Sequence, residues 1–280
     1  MAKVIFIGTS HFALPVLEGL VKNDYQILAV ITAPDRPSGR KNQITPPPVK
    51  EIALKHKLRI LQPEKISEIE KEISQINPDL IVVAAYGQII PKGILDIPRF
   101  KSLNLHPSLL PKYRGPSPIQ AAILNGDKIT GATLMVMDEK MDHGPIVVQE
   151  EIEIKPEDNY QTLEKKLSQK SADLLIKNLP QYFNGKIKPK TQDETKTTYT
   201  KMLTRQDGEI DWGKSALENE RKIRAFYPWP GAWTIMGGKR IKILKAKIIE
   251  DKLVPKIVQP EGKKPMAWDE FKKGHRPQRG

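Results

Sequence analysis

Short apolar runs alternating with helix-patterned segments fill the first 150 residues and constrain the fold more than any other feature. Lys3–Gly8, Ile27–Ile31, Leu80–Ala85 and Leu103–His106 are continuous, rich in Val, Ile and Leu, and bounded by Gly, Pro or Asp. Such runs suit strands covered on both faces. Phe12–Val21, Val49–His56, Ile66–Ile76 and Pro118–Leu124 carry helical spacing. That alternation predicts an α/β domain with an open, mostly parallel, Rossmann-like sheet. Thr130–Met137 and Ile146–Ile154 read as two further strands, and Tyr160–Tyr182 as a long amphipathic helix. The first βα turn, Gly8–Ala13, holds one glycine and lacks the G-x-G-x-x-G pattern, so a dinucleotide site is not indicated.

A chain of 280 residues favours two domains. The segment Asn184–Gln206 has no hydrophobic period, is rich in Lys, Thr and Pro, and reads as an extended linker. The division predicted is a first domain over 1–183, a linker over 184–206 and a second domain over 207–280. Ala216–Ala225 reads as a helix, and an aromatic turn follows at Phe226–Gly231. Trp233–Met236, Arg240–Ile249 and Leu253–Gln259 alternate like strands of a small β domain, and Gly262–Gly280 reads as a loose basic tail. Charge separates the two ends. Of the net +13, residues 186–280 hold 23 basic against 12 acidic side chains. A near-neutral front and a basic back point to a polyanionic partner at the back.

The chain has no cysteine, which excludes disulfides, thiolate metal sites and a cysteine nucleophile. The N-terminal run reads as a strand rather than a signal peptide, and no stretch reaches the ~18 apolar residues of a membrane span. A soluble cytoplasmic protein is expected.

Asn104 and His106 stand two apart inside an apolar run that stops at Pro107. On a strand, positions i and i+2 share a face. In open parallel sheets, ligands sit beyond the carboxyl ends of the strands. Asp142 follows a later strand in a loop closed by Gly144 and Pro145. An amide, an imidazole and a carboxylate together can stabilise an oxyanion and move a proton without a metal. An Asn and a His at a strand end also serve, ordinarily, to satisfy loop carbonyls, and the residues alone leave both readings open.

The run Asn104-Leu105-His106-Pro107-Ser108-Leu109-Leu110-Pro111, with Tyr113-Arg114-Gly115, Pro118-Ile119-Gln120 and the Asp142 loop, resembles the signature of the folate-dependent formyltransferases. Pro34–Arg40 and Pro46–Lys50 resemble the first long loop of the branch that acts on methionyl-tRNA. Gln192-Asp193-Glu194, Thr198-Tyr199, Ile210–Trp212, Ile223–Phe226, Pro228–Pro230 and Gln259–Met266 resemble its linker and second domain. The resemblance covers almost the whole chain.

It implies transfer of the formyl group of 10-formyltetrahydrofolate to the α-amino group of Met on initiator Met-tRNA, without a metal and by a monomer. Asn104 and a charged His106 would donate to the tetrahedral oxyanion, and Asp142 would pair with the imidazole and relay the amine's proton. The folate would lie against Ser108, Leu109, Leu110 and Pro111 and beside Tyr86, Gly87, Gln88 and Ile89. Arg36, Arg40, Lys41 and Arg205 would meet the tRNA. The implied second domain is a small β-barrel like the oligonucleotide-binding fold. Only 50 residues follow Pro230, so one or two of its strands are expected to be missing. The rivals are a formyltransferase acting on an amino-sugar nucleotide or a purine precursor, and an inactive RNA-binding module.

Overall fold

A computed structural model of the chain describes residues 2–38 and 43–274. Its strands are β1 (Lys3–Gly8), β2 (Gln26–Ile31), β3 (Arg36–Ser38), β4 (Gln43–Thr45), β5 (Ile60–Leu61), β6 (Leu80–Ala84), β7 (Ser102–His106), β8 (Ile129–Val136), β9 (Ile146–Glu153), β10 (Ala232–Met236), β11 (Lys239–Ile249), β12 (Lys252–Pro260) and β13 (Met266–Ala267). Its α-helices are α1 (Leu14–Lys22), α2 (Pro48–Lys55), α3 (Glu70–Ile76), α4 (Lys92–Leu95), α5 (Pro118–Asn125), α6 (Tyr160–Phe183), α7 (Ala216–Ala225) and α8 (Trp268–Gly274). The chain forms two compact units. One comprises Met1–Pro116, Thr130–Glu153 and Glu164–Tyr199; the other comprises Ser117–Ile129, Ile154–Leu163 and Thr200–Gly280.

The first unit is built on a seven-stranded sheet of order β5-β2-β1-β6-β7-β8-β9. β1 pairs in parallel with β2 and with β6, and β6 in parallel with β7, while β8 runs antiparallel to β7. The chain leaves β1 toward one edge and returns at β6 on the other side. That reversal is where open α/β sheets carry their ligands. Residues 4–7 and 80–82 are fully buried, as continuous apolar runs require. One face packs Ile5, Ile7, Ile31, Ile81 and Val83 on Ile66, Ile73 and Ile94. α6 reaches back to the start of the chain, where Ser168 Oγ donates to the Phe12 carbonyl at 2.7 Å.

Residues 184–199 have no apolar period, and polar anchors hold them instead. Lys190 exchanges backbone hydrogen bonds with Ile146 at 2.7 and 2.8 Å. The Arg114 amide donates to the Thr198 carbonyl at 2.9 Å.

The second unit contains the expected small β domain as an antiparallel sheet of order β10-β11-β12-β13. β11 and β12 make a long hairpin turned by Glu250 and Asp251, both at positive φ (49° and 57°). Two such residues suit the tight hairpin turns whose twist matches the strands. The sheet closes over Ile210, Ile223, Ile241, Ile243, Val258 and Phe271. α7 opens on a capping box, with Ser215 Oγ accepting from the Glu218 amide at 3.2 Å and Glu218 Oε2 accepting from the Ser215 amide at 3.1 Å. β11 carries Lys239, Arg240, Lys242, Lys245 and Lys247 and no acidic residue. No helix among the described residues is long and apolar enough to cross a membrane.

Candidate active site

Period-2 geometry on β7 sends Leu103 and Leu105 to one face and Asn104 and His106 to the other. Asn104 stands opposite Met135 and His106 opposite Thr133. Both polar side chains turn toward one carboxylate. Asn104 Nδ2 lies 3.4 Å from Asp142 Oδ1, and His106 Nδ1 lies 3.6 Å from Asp142 Oδ2. The imidazole is 6% exposed and the carboxylate 15%, so water screens this cluster poorly.

Neighbouring backbone holds the cluster in place. His106 Nε2 lies 2.9 Å from the Tyr113 carbonyl and donates to it, because a carbonyl oxygen only accepts. The Gly115 amide donates to Asp142 Oδ2 at 2.8 Å. Asp142 itself sits at φ 49°, a left-handed conformation uncommon for a residue with a Cβ. Two residues on, a Cβ at Gly144 would lie 1.9 Å from the Val136 carbonyl oxygen, so this position excludes any side chain. Val136 Nα donates to the Pro145 carbonyl at 2.9 Å and closes the loop onto β8. His143 Nδ1 meets Asp138 Oδ2 at 2.6 Å within the same loop.

A buried guanidinium supports the loop from behind. Arg114 is fully buried and donates to Glu194 Oε1 at 2.6 Å and Oε2 at 3.1 Å. The bond to Glu194 raises the Arg114 pKa, and Arg114 in turn lowers that of Glu194. Tyr113, Arg114 and Gln192 carry contacts that the reading of Asn104, His106 and Asp142 did not assign. Their signal lies in Tyr113-Arg114-Gly115 and Gln192-Asp193-Glu194, motifs to which the sequence alone gives no physical task.

The expected folate residues divide by exposure. Ser108 is buried and its hydroxyl donates to the Lys112 carbonyl at 2.6 Å. Leu110 is buried, with its amide on Thr133 Oγ1 at 3.2 Å and its carbonyl on Gln149 Nε2 at 2.9 Å. Leu109 and Pro111 keep partial exposure. Tyr86 is buried, and its hydroxyl has no hydrogen-bond partner. Gln88 is spent on structure, with its side chain bonded to the Ile66 amide and the Glu64 carbonyl, both at 3.1 Å. Gly87, at φ 86°, faces open space, and Ile89 is 82% exposed. An open backbone beside exposed apolar surface fits a flat heteroaromatic ligand.

Of the expected tRNA contacts, Arg36 is exposed and paired with Glu64 at 2.6 Å. Arg205 is exposed and lies in the second unit, where its carbonyl accepts from Trp233 Nε1 at 3.0 Å. Arg40 and Lys41 lie outside the described residues.

The reversed parallel sheet, with a polar cluster at the end of a strand beside the reversal, defines an α/β protein of the strand-end ligand-binding class. A family model described as Formyl transferase matches residues 2–179, and one described as Formyl transferase, C-terminal domain, matches residues 202–254. The chain belongs to the formyl transferase family. It is 41% identical over 302 residues to the methionyl-tRNA formyltransferase of Bacillus subtilis (strain 168), covering 98% of this chain and 95% of that protein. It is 48% identical over 251 residues to the methionyl-tRNA formyltransferase of Hydrogenobaculum sp. (strain Y04AAS1), covering 90% and 82%. Among solved structures it resembles WlaRD, a sugar 3N-formyl transferase in the presence of dTDP and 5-N-formyl-THF. There the TM-score is 0.69 at 22% identity, covering 94% of this chain and 99% of that one.

Proposed function

We propose that this chain moves the formyl group of 10-formyltetrahydrofolate onto the α-amino group of methionine carried by initiator tRNA. The observation that carries the reading is the meeting of Asn104 and His106 on the Asp142 carboxylate, in a chain 41% and 48% identical to two methionyl-tRNA formyltransferases. The folate supplies an electrophilic formyl carbon. As the amine adds, negative charge gathers on the formyl oxygen. Asn104 Nδ2 donates to that oxygen, and charged His106 donates from Nδ1. Its Nε2 is committed to Tyr113, which fixes the ring plane. Asp142 pairs with the imidazole and accepts or relays the amine's proton; collapse of the adduct then breaks the bond between the formyl carbon and the folate nitrogen, which takes up a proton and leaves as tetrahydrofolate. One donor aimed at an oxyanion is typically worth roughly 3 kcal/mol.

Gly87, Ile89, Leu109 and Pro111 are the residues whose exposure best suits the folate. The functional division runs 1–183 for formyl transfer, 184–206 for the linker and 207–280 for tRNA. The spans of the two family models, 2–179 and 202–254, favour it. The cations of β11 with Arg205, and Arg36 with Arg40 and Lys41, would take phosphates in a sequence-tolerant way. The enzyme would act as a cytoplasmic monomer.

A sugar-nucleotide amine is the nearest rival acceptor, since WlaRD has the same fold. The basic last third and the far higher identity to the tRNA enzymes favour tRNA. The test incubates the protein with 10-formyltetrahydrofolate and Met-tRNA and looks for acid-stable formyl-methionine. A parallel reaction offers an amino-sugar nucleotide. Formylation of the sugar alone, or retention of tRNA with no transfer, would overturn the reading.

A further inference from the structure

We infer that Gln192 is a positioning residue that clamps the Asp142 loop in its catalytic shape, and that buried Arg114 sets the clamp. The inference rests on the reading above that Asp142 takes part in formyl transfer. Gln192 is 5% exposed, and its amide is fully used. Nε2 donates to the Asp142 carbonyl and to the Gly144 carbonyl, each at 2.8 Å. Oε1 accepts from Arg114 Nε at 3.1 Å and Nη2 at 2.9 Å. Guanidinium groups only donate and carbonyls only accept, so the amide has one possible orientation.

The clamp closes on a left-handed stretch of backbone. Asp142 is held at φ 49°, in a region that costs a non-glycine residue roughly 1–3 kcal/mol and persists only when its surroundings enforce it. Gln192 grips both sides of His143, at the carbonyls of residues 142 and 144. Arg114 then links this clamp to the rest of the site through its own neighbours. Tyr113 holds the His106 ring, and Gly115 holds the Asp142 carboxylate. One tripeptide therefore fixes imidazole, carboxylate and loop together. Glutamate at 192 would still accept from Arg114 through one oxygen, but it would turn the other, which cannot donate, toward two carbonyls. A Gln192→Glu change thus removes the grip and keeps the buried pair.

The test compares Gln192→Glu, Gln192→Met, Arg114→Lys and Asp142→Asn in steady-state and single-turnover formylation, with thermal unfolding alongside. Gln192→Glu leaves two carbonyls without this donor and is expected to unfold below the parent temperature, while its folded fraction keeps both KM values. Its kcat should fall about a hundredfold, the scale of a 1 Å misplacement. Arg114→Lys retains the charge but loses the fork, and should lower kcat in the same direction. Gln192→Met, similar in shape and without donors, gives the same reading per folded molecule should the glutamate variant fail to fold. In an Asp142→Asn background, Gln192→Glu should cost nothing further, because both changes remove one function. Equal losses in both backgrounds would mean a general structural role and overturn the clamp. Full turnover in both Gln192 variants beside an inactive Asp142→Asn would overturn the clamp alone. Full turnover in Asp142→Asn would overturn the role of Asp142 and the clamp with it.

Discussion

His106 and Tyr113 are joined by a hydrogen bond of 2.9 Å, in which Nε2 of the buried ring donates to the backbone carbonyl. Tyr113 reaches that position at φ 62°. The bond occupies one ring nitrogen and turns the other toward Asp142, 3.6 Å away. A ring fixed in this way needs little reorganisation when charge develops beside it.

Removing the imidazole or the neighbouring amide should therefore separate stability from turnover. His106→Ala and Asn104→Ala are each expected to lose roughly a hundredfold in kcat. His106→Ala also removes the buried bond to the Tyr113 carbonyl and should lose about 1–3 kcal/mol of stability. Asn104, half-buried and at 3.4 Å from its partner, should cost much less. Urea unfolding and initial rates measure both, and undiminished turnover in either purified variant would remove that residue from the mechanism.

Gly144→Ala probes the loop from the backbone side. The new Cβ would collide with the Val136 carbonyl oxygen, a backbone atom that cannot swing away. Overpacking of this kind costs typically about 1–3 kcal/mol, and Asp142 should move with the loop. A variant with parental melting temperature and parental kcat would show the loop to be softer than argued.

Tyr86→Phe should stabilise the protein. The buried hydroxyl has no partner, an arrangement that costs roughly 1–3 kcal/mol. Burial also pushes the phenol from 10.0 up to about 12. The folded state thus keeps a proton that the unfolded chain releases. That contribution is full below pH 10 and is lost as pH rises toward about 12. The advantage of the phenylalanine variant should therefore widen across this window. Denaturant titrations at neutral pH and within the window measure it, and a constant difference would contradict the assignment.

Arg40→Leu should raise KM for initiator tRNA and leave KM for the folate unchanged. No acidic residue lies between Arg36 and Lys50 in the sequence, and Arg40 and Lys41 add two positive charges to that stretch. Loss of one phosphate contact should lower the slope of log affinity against log salt by about 1. Equal damage to tRNA and folate use would contradict a tRNA-specific role.

Much of the first unit was legible because its signals are local. Lys3–Gly8, Leu80–Ala84 and Leu103–His106 announce themselves as apolar runs, and burial on both faces follows. The pairing of Asn104 with His106 was legible for the same reason, since a strand of period two sends both to one face. The exposure of the folate residues was not. Ser108, Leu110 and Gln88 look available in a linear reading, yet each is consumed by Lys112, Gln149 or Ile66. Residues 184–199 were equally opaque, because single polar anchors rather than an apolar stripe hold them.

The order of residues alone determined the alternating α/β pattern, the shared face of Asn104 and His106, and the gathering of positive charge in the last third. Each follows from backbone periodicity or from counting. Folding decided that Asp142 arrives beside those two side chains, and that Arg114 meets Gln192 across 78 positions of chain. Contacts of that span have no local period to betray them. They form only once the sheet reverses and the low-dielectric interior penalises a buried donor left without an acceptor.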